Sequence, residues 1–217
     1  MPAPSAVVTA LQRVGVLAVL RAPSAAAAVS AVDALVAGGV TGIEITFSTP
    51  DAPEAIAEVA RRHADAVYLG AGTVLTGQHA RAAVDAGADF LVSPGTEATL
   101  VAAMKSTGAA VFTGALTPSE VMATLSLGVD AIKVFPAALG GPSYLRALRG
   151  PFPEVPFLPT GGVTAGNLAQ WLAAGAVAVG AGSELCSASA MAQGRWAEVT
   201  EAARSFSRAL STARDEA

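Results

Sequence analysis

The feature that most constrains the fold is a regular alternation of short apolar runs with alanine-rich helical stretches. The apolar runs begin near eight positions: Gly15, Gly42, Val67, Asp89, Ala109, Asp130, Val155 and Ala176. Strands that alternate with helices form parallel sheets, since each helix carries the chain back to the edge where the strand began. The pattern therefore predicts an α/β fold, a closed (β/α)8 barrel of the TIM type.

Helix signals in the connecting stretches support this prediction. Ser24 stands before a segment with one apolar face, and Thr117-Pro118-Ser119-Glu120 has the pattern of a capping box. Residues 4–13 predict a short additional helix ahead of the first strand. Several helical stretches end at glycine, which is typical of helix C-termini: Gly38-Gly39, Gly87, Gly108, Gly128 and Gly175.

We expect residues 1–217 to form a single barrel domain, because no linker or change of composition divides them. An open, doubly wound sheet is the competing architecture, and it usually has glycines in its first strand–helix turn. Here that turn is Leu20-Arg21-Ala22-Pro23-Ser24, which has none.

Composition argues against several classes of function. The net charge is −4 and no run of basic residues occurs, so we expect no nucleic-acid partner. No apolar stretch approaches the ~20 residues of a membrane span, and the start lacks a secretory pattern, so we expect no membrane association and a cytoplasmic location. The lone Cys186 excludes an internal disulfide, and only His63 and His79 are available as imidazole ligands, so we expect neither a metal nor a cofactor.

One apolar run, Asp130–Pro136, has a lysine in its middle. Lysine is scarce in this chain, since Lys105 is the only one besides Lys133. Arginine is a fixed cation, whereas a buried lysine can lose its proton and attack a carbonyl carbon. We therefore interpret Lys133 as a candidate for imine formation with a carbonyl substrate.

A carboxylate lies inside the second predicted strand, Gly42–Phe47. By the two-residue period of a strand, Glu44 and Thr46 share one face, and a carboxylate there costs free energy unless it is paired. Glu44 is thus the candidate that moves protons for an imine on Lys133. Carbon–carbon bond cleavage beside an iminium leaves an enamine, which is the chemistry of a metal-free aldolase.

Glycines follow the seventh and eighth predicted strands, at Gly161-Gly162 and at Gly182-Ser183. Their backbone N–H groups can approach an anion closely, and barrels often bind phosphate at these two loops. We also expect a short helix after Ser183 to aim its N-terminus at the same point.

Two other readings remain open from the residues alone. Lys133 and Glu44 could be a buried pair in a non-catalytic phosphometabolite-binding protein. A phosphate-sugar isomerase or epimerase would explain the glycine turns but would give Lys133 no covalent task.

From about Val14 to Leu185 the sequence resembles the class I 2-keto-3-deoxy-6-phosphogluconate (KDPG) / 4-hydroxy-2-oxoglutarate (KHG) aldolases. The matching stretches are Val19-Leu20-Arg21, Gly42–Phe47, Gly70-Ala71-Gly72-Thr73-Val74, Phe90–Pro94, Lys133-Val134-Phe135-Pro136, Gly150-Pro151-Phe152 and Leu158–Val163. The resemblance implies a homotrimeric barrel that cleaves KDPG to pyruvate and glyceraldehyde 3-phosphate. Cleavage of KHG to pyruvate and glyoxylate is a further expected activity.

The resemblance also implies roles for individual residues. Lys133 matches the Schiff-base lysine and Glu44 the general acid/base. The remaining matches are substrate contacts: Thr73 and Pro94 line the pyruvyl pocket, Thr160 contacts the substrate chain, and Gly161, Gly162 and Ser183 form the phosphate-binding turns.

One position departs from part of the family. Some members have an arginine four residues after the glutamate, where it binds the pyruvyl carboxylate, and this chain has Ser48 there. We expect Arg21 to replace it, because a carboxylate favours a charge-assisted partner. An aldolase for the galactonate epimer (KDPGal) is the alternative, although the hydroxyl of Thr160 favours the gluconate substrate.

Overall fold

The structure is a computed structural model that describes residues 5–216. The strands found there are β1 (Val16–Leu20), β2 (Gly42–Thr46), β3 (Tyr68–Gly72), β4 (Phe90–Ser93), β5 (Ala110–Ala115), β6 (Ala131–Val134), β7 (Phe157–Pro159) and β8 (Val179–Ala181). The helices are α1 (Ala6–Val14), α2 (Ala25–Ala37), α3 (Ala52–His63), α4 (Gly77–Asp85), α5 (Ala98–Lys105), α6 (Pro118–Ser126), α7 (Gly141–Arg149), α8 (Leu168–Ala173), α9 (Ala188–Ala192) and α10 (Trp196–Asp215), with 3-10 turns at Ala64–Ala66 and Ala137–Leu139.

The eight strands form one parallel sheet in the order β7-β6-β5-β4-β3-β2-β1-β8. A parallel bridge between Thr160 and Gly180 joins the two ends of this order and closes the ring. The predicted (β/α)8 barrel is confirmed. The largest offset from a predicted strand start is at β8, expected near Ala176 and observed from Val179, because the Ala176 N–H instead completes the end of α8 by donating to Trp171 O at 3.1 Å.

The predicted helix signals are also confirmed. The Ser24 hydroxyl accepts the Ala27 N–H, and Thr117 and Glu120 form a reciprocal capping box at the start of α6. The Thr117 and Leu116 amides hold the pKa of the Glu120 carboxyl below its ordinary value. The predicted leading helix is α1, and position 4 of that prediction lies outside the described residues.

The strands bury apolar side chains on both faces. The outward-facing residues, such as Ile43 and Ile45 of β2, join the large core between the sheet and the surrounding helices. No helix within residues 5–216 has the length and apolar character needed to cross a membrane.

The end of the lumen at the strand N-termini is filled by a separate apolar cluster. The rings of Phe90 and Phe112 stack there with centroids 5.1 Å apart. Helix α1 covers this cluster with Leu11 and Val14, and then ends at Gly15 in the left-handed region, with φ 66°. We call this cluster the lower half of the lumen; it consists of Leu17, Phe90, Val92, Phe112, Ala131, Leu158 and Ala178 under Leu11 and Val14.

Candidate active site

The opposite end of the lumen, which we call the upper half, contains a lysine and a carboxylate. Lys133 of β6 and Glu44 of β2 are 4% and 1% exposed, and Lys133 Nζ lies 3.4 Å from Glu44 Oε1. Three strands, β5, β4 and β3, lie between β6 and β2 in the order of the sheet, so the two residues meet across the lumen. The structure thus brings together the two residues that the sequence predicted as catalytic.

Glu44 has room in the lumen because its carboxylate lies against Gly72 of the neighbouring strand β3, two residues beyond Gly70, its partner in the strand register. A Cβ atom added to Gly72 would lie 2.0 Å from Glu44 Oε1, which is far inside van der Waals contact. The absence of a side chain at this position therefore sets where the carboxylate can lie.

Two buried polar atoms in the upper half have no hydrogen-bond partner within residues 5–216. These atoms are Glu44 Oε2 and Thr160 Oγ1. A buried polar group without a partner costs about 1–3 kcal/mol, and such groups concentrate where a ligand or water supplies the missing bond. Both atoms point to the upper half as a binding site.

Thr160 depends on a second glycine. It follows β7 directly and bridges to Gly180 of β8, where an added Cβ would lie 2.3 Å from Thr160 Oγ1. The Thr160 hydroxyl therefore occupies the space that the Cβ atom of any residue other than glycine at position 180 would fill.

The glycine turn after β7 has the backbone conformation that only glycine adopts without strain. Gly161 and Gly162 have φ of 99° and 76°. The side chain of Asn167 braces this turn, since its amide donates to Gly162 O at 2.9 Å and its oxygen accepts the Thr164 N–H.

The turn after β8 separates Ser183 from the short helix that the sequence predicted after it. The Leu185 and Cys186 N–H groups both donate to Gly182 O and form a tight turn, and the next helix starts only at Ala188. A short helix does follow Ser183, but Ser187 sets its start by accepting the Ala190 N–H at 3.0 Å. Ser183 itself is exposed in the turn.

The two turns and the end of β1 enclose a cleft of about 190 Å³. We call it the phosphate cleft, after the phosphate binding that the sequence predicted for its glycine turns. It is lined by Val19, Arg21, Phe135, Thr160, Gly161, Gly162, Val163, Thr164, Gly182, Ser183 and Glu184. Arg21 takes part in none of the ion pairs found in the described part of the chain. Its Nη1 lies 3.6 Å from where a Cβ on Gly182 would be, so the guanidinium lies beside the β8 turn.

The predicted pyruvyl-pocket residues lie on the other side of the barrel mouth. Thr73 follows β3 with φ 53°, an unusual conformation for a β-branched residue and one that is concentrated at functional sites. Pro94 follows β4 and lines a smaller cleft of about 140 Å³.

Phe135 is a site residue that the sequence prediction did not include. It lines both the phosphate cleft and the cleft of Pro94, and the Lys133 ammonium lies 5.4 Å from its ring centroid. A signal was present, because the two-residue period of the strand places Phe135 on the same face as Lys133.

A larger cavity, of about 550 Å³, lies elsewhere, between α1, α8 and α10 at the lower end. Its lining is mostly alanine and leucine, with Arg214 already donating to the Arg13 carbonyl. We place the site in the upper half instead, because the buried charged pair and the unpartnered oxygens of Glu44 and Thr160 are there. In residues 5–216 no cluster of three or more His, Cys, Asp or Glu side chains is arranged to hold a metal.

The chain matches a known protein family over most of its length. The family model for KDPG and KHG aldolases matches residues 7–202. The 2-dehydro-3-deoxy-phosphogluconate aldolase of Treponema pallidum is 42% identical over 165 residues, which cover 76% of this chain and 78% of the relative.

Two solved structures have the same fold. A KDPG aldolase from Legionella pneumophila, with pyruvate captured as a covalent carbinolamine, superposes with a TM-score of 0.83 at 33% identity and covers 92% of this chain and 96% of its own. A native KDPGal structure superposes with a TM-score of 0.85 at 29% identity, with the same 92% and 96% coverage. The protein is therefore a member of the KDPG and KHG aldolase family.

Proposed function

We propose that the protein is a class I aldolase that cleaves KDPG to pyruvate and glyceraldehyde 3-phosphate through an imine on Lys133. The observation that carries the proposal is the buried pair of Lys133 and Glu44, with Glu44 Oε2 free of any partner in the described residues. A purely structural pair would be expected to have both carboxylate oxygens bonded, since unpaired buried polar atoms are costly.

The first step is attack of the neutral Lys133 amine on the keto carbon of the substrate. Glu44 Oε1, 3.4 Å away, can take the ammonium proton after a small approach or through a bridging water. Addition gives a carbinolamine, and loss of water gives the protonated imine. Glu44 supplies the proton that leaves with this water, so proton and charge balance within the pair.

The second step breaks the carbon–carbon bond one carbon away from the imine. The hydroxyl on the far carbon loses its proton to Glu44, its oxygen forms the aldehyde carbonyl, and the electron pair of the broken bond moves toward the iminium nitrogen. Glyceraldehyde 3-phosphate leaves, and Lys133 retains the enamine of pyruvate.

The last steps return the enzyme to its starting state. Glu44 returns its proton to the terminal carbon of the enamine, which gives the pyruvate imine. Water then adds to the imine carbon and releases pyruvate from Lys133. The two oxygens of Glu44 suit this exchange, because one faces Lys133 while the other is free to face the substrate or a water.

The substrate chain would extend from Lys133 toward the phosphate cleft. Thr73 and Pro94 would line the pyruvyl end, Thr160 would bond a hydroxyl of the chain, and the phosphate would lie against the turns Gly161-Gly162 and Gly182-Ser183. Arg21 is a candidate for either anionic end of the substrate. Its position beside Gly182 favours the phosphate over the pyruvyl carboxylate that the sequence predicted.

KDPGal is the second candidate substrate, and the likeness to the native KDPGal structure favours it. The unpartnered Thr160 hydroxyl supports the gluconate substrate, because it can bond a substrate hydroxyl of one configuration. Comparing kcat/KM for KDPG, KDPGal and KHG in one preparation would rank the three substrates.

The remaining expectations complete the proposal. We propose a homotrimer that works in the cytoplasm without a cofactor, with residues 1–217 as one domain. The trimer follows the family resemblance, and the cytoplasmic location is the expectation drawn from composition. Sedimentation analysis of the purified protein would test the trimer, and a species of one-chain mass would contradict it.

The test of the reaction is incubation with pyruvate and borohydride, followed by intact mass and peptide mapping. Borohydride reduces the imine to a stable amine, so we expect one adduct per chain, on Lys133. Lys133→Arg should abolish both the adduct and KDPG cleavage, with kcat reduced on the order of a thousandfold or more.

Lys105→Arg is the matched control. Lys105 lies at the surface, where its ammonium donates to the carbonyls of Leu127 and Gly128, so the control should keep full activity. A folded wild type that forms no adduct and cleaves no KDPG would leave a phosphate-binding or isomerase function. Substantial cleavage by Lys133→Arg would remove the assigned role of Lys133.

A further inference from the structure

Two buried threonines bond the backbone on both sides of Arg21. The Thr46 hydroxyl donates to Leu20 O at 2.7 Å, and the Thr49 hydroxyl accepts the Ala22 N–H at 3.0 Å. The two threonines are 0% and 2% exposed. Arg21 therefore lies between the Leu20 carbonyl and the Ala22 N–H, and both of these backbone groups are bonded by side chains about 26 residues away in sequence.

These bonds continue the pairing of β1 with β2 beyond its last backbone pair. The register of the two strands ends with Leu20 opposite Ile45, so the backbone groups around Arg21 lie past the end of the ladder. Side-chain hydroxyls replace the missing strand there. Without them, Arg21 would sit on a loop whose backbone groups have no fixed partner.

The same network accounts for Ser48, the position where some relatives have arginine. The single hydrogen of the Thr46 hydroxyl goes to Leu20 O, so the Ser48 hydroxyl, 2.7 Å from Thr46 Oγ1, must be the donor of that bond. The Ser48 hydroxyl then has no hydrogen left to donate, so it cannot form a hydrogen bond to a carboxylate or phosphate oxygen. Ser48 thus supports Thr46 and leaves anion binding to Arg21.

We infer that Thr46 and Thr49 are positioning residues that hold Arg21 over the phosphate cleft, so that its guanidinium binds the phosphate of the substrate. The inference rests on the proposed function for its substrate. It explains why the hydroxyls at the end of β2 face the neighbouring backbone and leave the cleft to Arg21. A guanidinium held in place loses less conformational entropy when it binds an anion.

A buried threonine with a purely packing role is the competing explanation, and the chain contains a matched example. Thr113 on β5 is also 0% exposed, and its hydroxyl is bonded by Thr96 at 2.8 Å. That cluster lies on the far side of the barrel, between β4, β5 and α6, and includes Thr124. Thr113→Val therefore reports the general cost of replacing a buried, bonded threonine hydroxyl with a methyl group.

The experiment titrates inorganic phosphate into wild type, Thr49→Val, Thr49→Ser and Thr113→Val by calorimetry, and measures KDPG kinetics alongside. Thr49→Val keeps the shape but leaves the Ala22 N–H without its acceptor. We expect its Kd for phosphate and its KM for KDPG to rise on the order of fivefold to tenfold. Its kcat and its borohydride trapping with saturating pyruvate should stay within about twofold of wild type.

Thr49→Ser keeps the hydroxyl and should restore phosphate affinity, and Thr113→Val should leave it unchanged. Equal losses in Thr49→Val and Thr113→Val, or unchanged affinity in Thr49→Val, would overturn the inference, as would a wild type that binds no phosphate. If Thr49→Val does not fold, Thr46→Val and Thr49→Ala make the same comparison. Phosphate binding needs no aldol chemistry, so a wild type that binds phosphate but forms no borohydride adduct would contradict the proposed function alone.

Discussion

The lower and upper halves of the lumen are built from the same strands but are filled in opposite ways. Strand β6 contributes Ala131 to the lower half and Lys133, two residues later, to the upper half. The lower half is apolar, packed and covered by α1, whereas the upper half is polar and has two unpartnered buried atoms. The difference indicates that the strand N-termini provide stability and the strand C-termini provide chemistry, as in other barrels of this kind.

Glycine makes room in both halves, but for different groups. On β3, a Cβ on Gly70 would lie 2.3 Å from the ring of Phe90, and a Cβ on Gly72 would lie 2.0 Å from Glu44 Oε1. Two glycines on one strand therefore admit an aromatic ring below and a carboxylate above. If the two halves act independently, a substitution in the lower half should reduce stability with little effect on activity, and a substitution in the upper half should do the reverse.

The largest expected effect is on stability, from a change in the lower half. Leu11→Ala removes a fully buried side chain of α1 from the lower cluster and should cost about 2–5 kcal/mol of unfolding free energy. We expect kcat for KDPG to stay within about twofold while the variant is folded. Urea unfolding and kinetics on the same preparation measure both.

Leu125→Ala is the control for Leu11→Ala, because Leu125 is 40% exposed on α6 and should cost well under 1 kcal/mol. A large loss of kcat in folded Leu11→Ala would show that the two halves are coupled and would break the comparison.

The second prediction concerns the two glycines of β3, whose replacement should affect different properties: stability for Gly70 and activity for Gly72. Gly70→Ala should destabilise the protein by about 1–3 kcal/mol, since the added methyl overlaps Phe90, and should leave kcat nearly unchanged. Gly72→Ala should instead move Glu44 away from Lys133 and lower kcat on the order of 10- to 100-fold.

Thermal unfolding and KDPG turnover for both glycine variants test this contrast. The comparison gains support if stability falls more in Gly70→Ala and activity falls more in Gly72→Ala. Equal losses of stability and of activity in the two variants would contradict the separation of the two halves along β3.

The smallest effect concerns the buried thiol that follows the upper turn of β8. Burial raises the pKa of Cys186 from 9.0 to about 12, so the folded protein keeps the thiol protonated where an unfolded chain would ionise it. Stability from this group is complete below pH 9 and is lost as pH rises toward 12, because the unfolded state then binds fewer protons.

Alkylation by iodoacetamide at pH 8 should accordingly be about a hundredfold or more slower for the folded protein than for a free cysteine. Fast labelling of the native protein, read by mass spectrometry, would reveal local opening of the upper end. Leu11→Ala should not accelerate it below the unfolding transition, and acceleration would again indicate that the halves are coupled.

The sequence predicted the barrel well because its evidence is local. Apolar runs, the Ser24 and Thr117 caps and the glycine helix ends each depend on a few neighbouring residues, and all of them agree with the structure. The prediction was weaker at the turn after β8, where both a capped helix and a tight turn suit Gly182–Ser187. The Leu185 and Cys186 N–H groups bond Gly182 O in a tight turn there, and the helix starts only after Ser187, whose hydroxyl accepts the Ala190 N–H.

The candidate site was predictable in part for a related reason. Glu44 and Lys133 are conspicuous in the sequence, because charged residues inside apolar strands are costly unless they have a task or a partner. Phe135 was not conspicuous, since an aromatic residue in a strand is ordinarily part of a core. Its contact with Lys133 and with two clefts becomes visible only when the lumen is assembled.

The sequence by itself determined the parallel strand–helix order, the ends of several helices and the identity of the two buried charged residues. These depend on local backbone preferences and on the period of apolar side chains, which neighbouring residues set. Tertiary structure alone decided that Glu44 lies against Gly72, that Arg21 lies beside Gly182, and that Thr46 and Thr49 bond the backbone around Arg21. Those contacts join residues far apart in sequence, and their geometry exists only after the eight strands have closed into a ring.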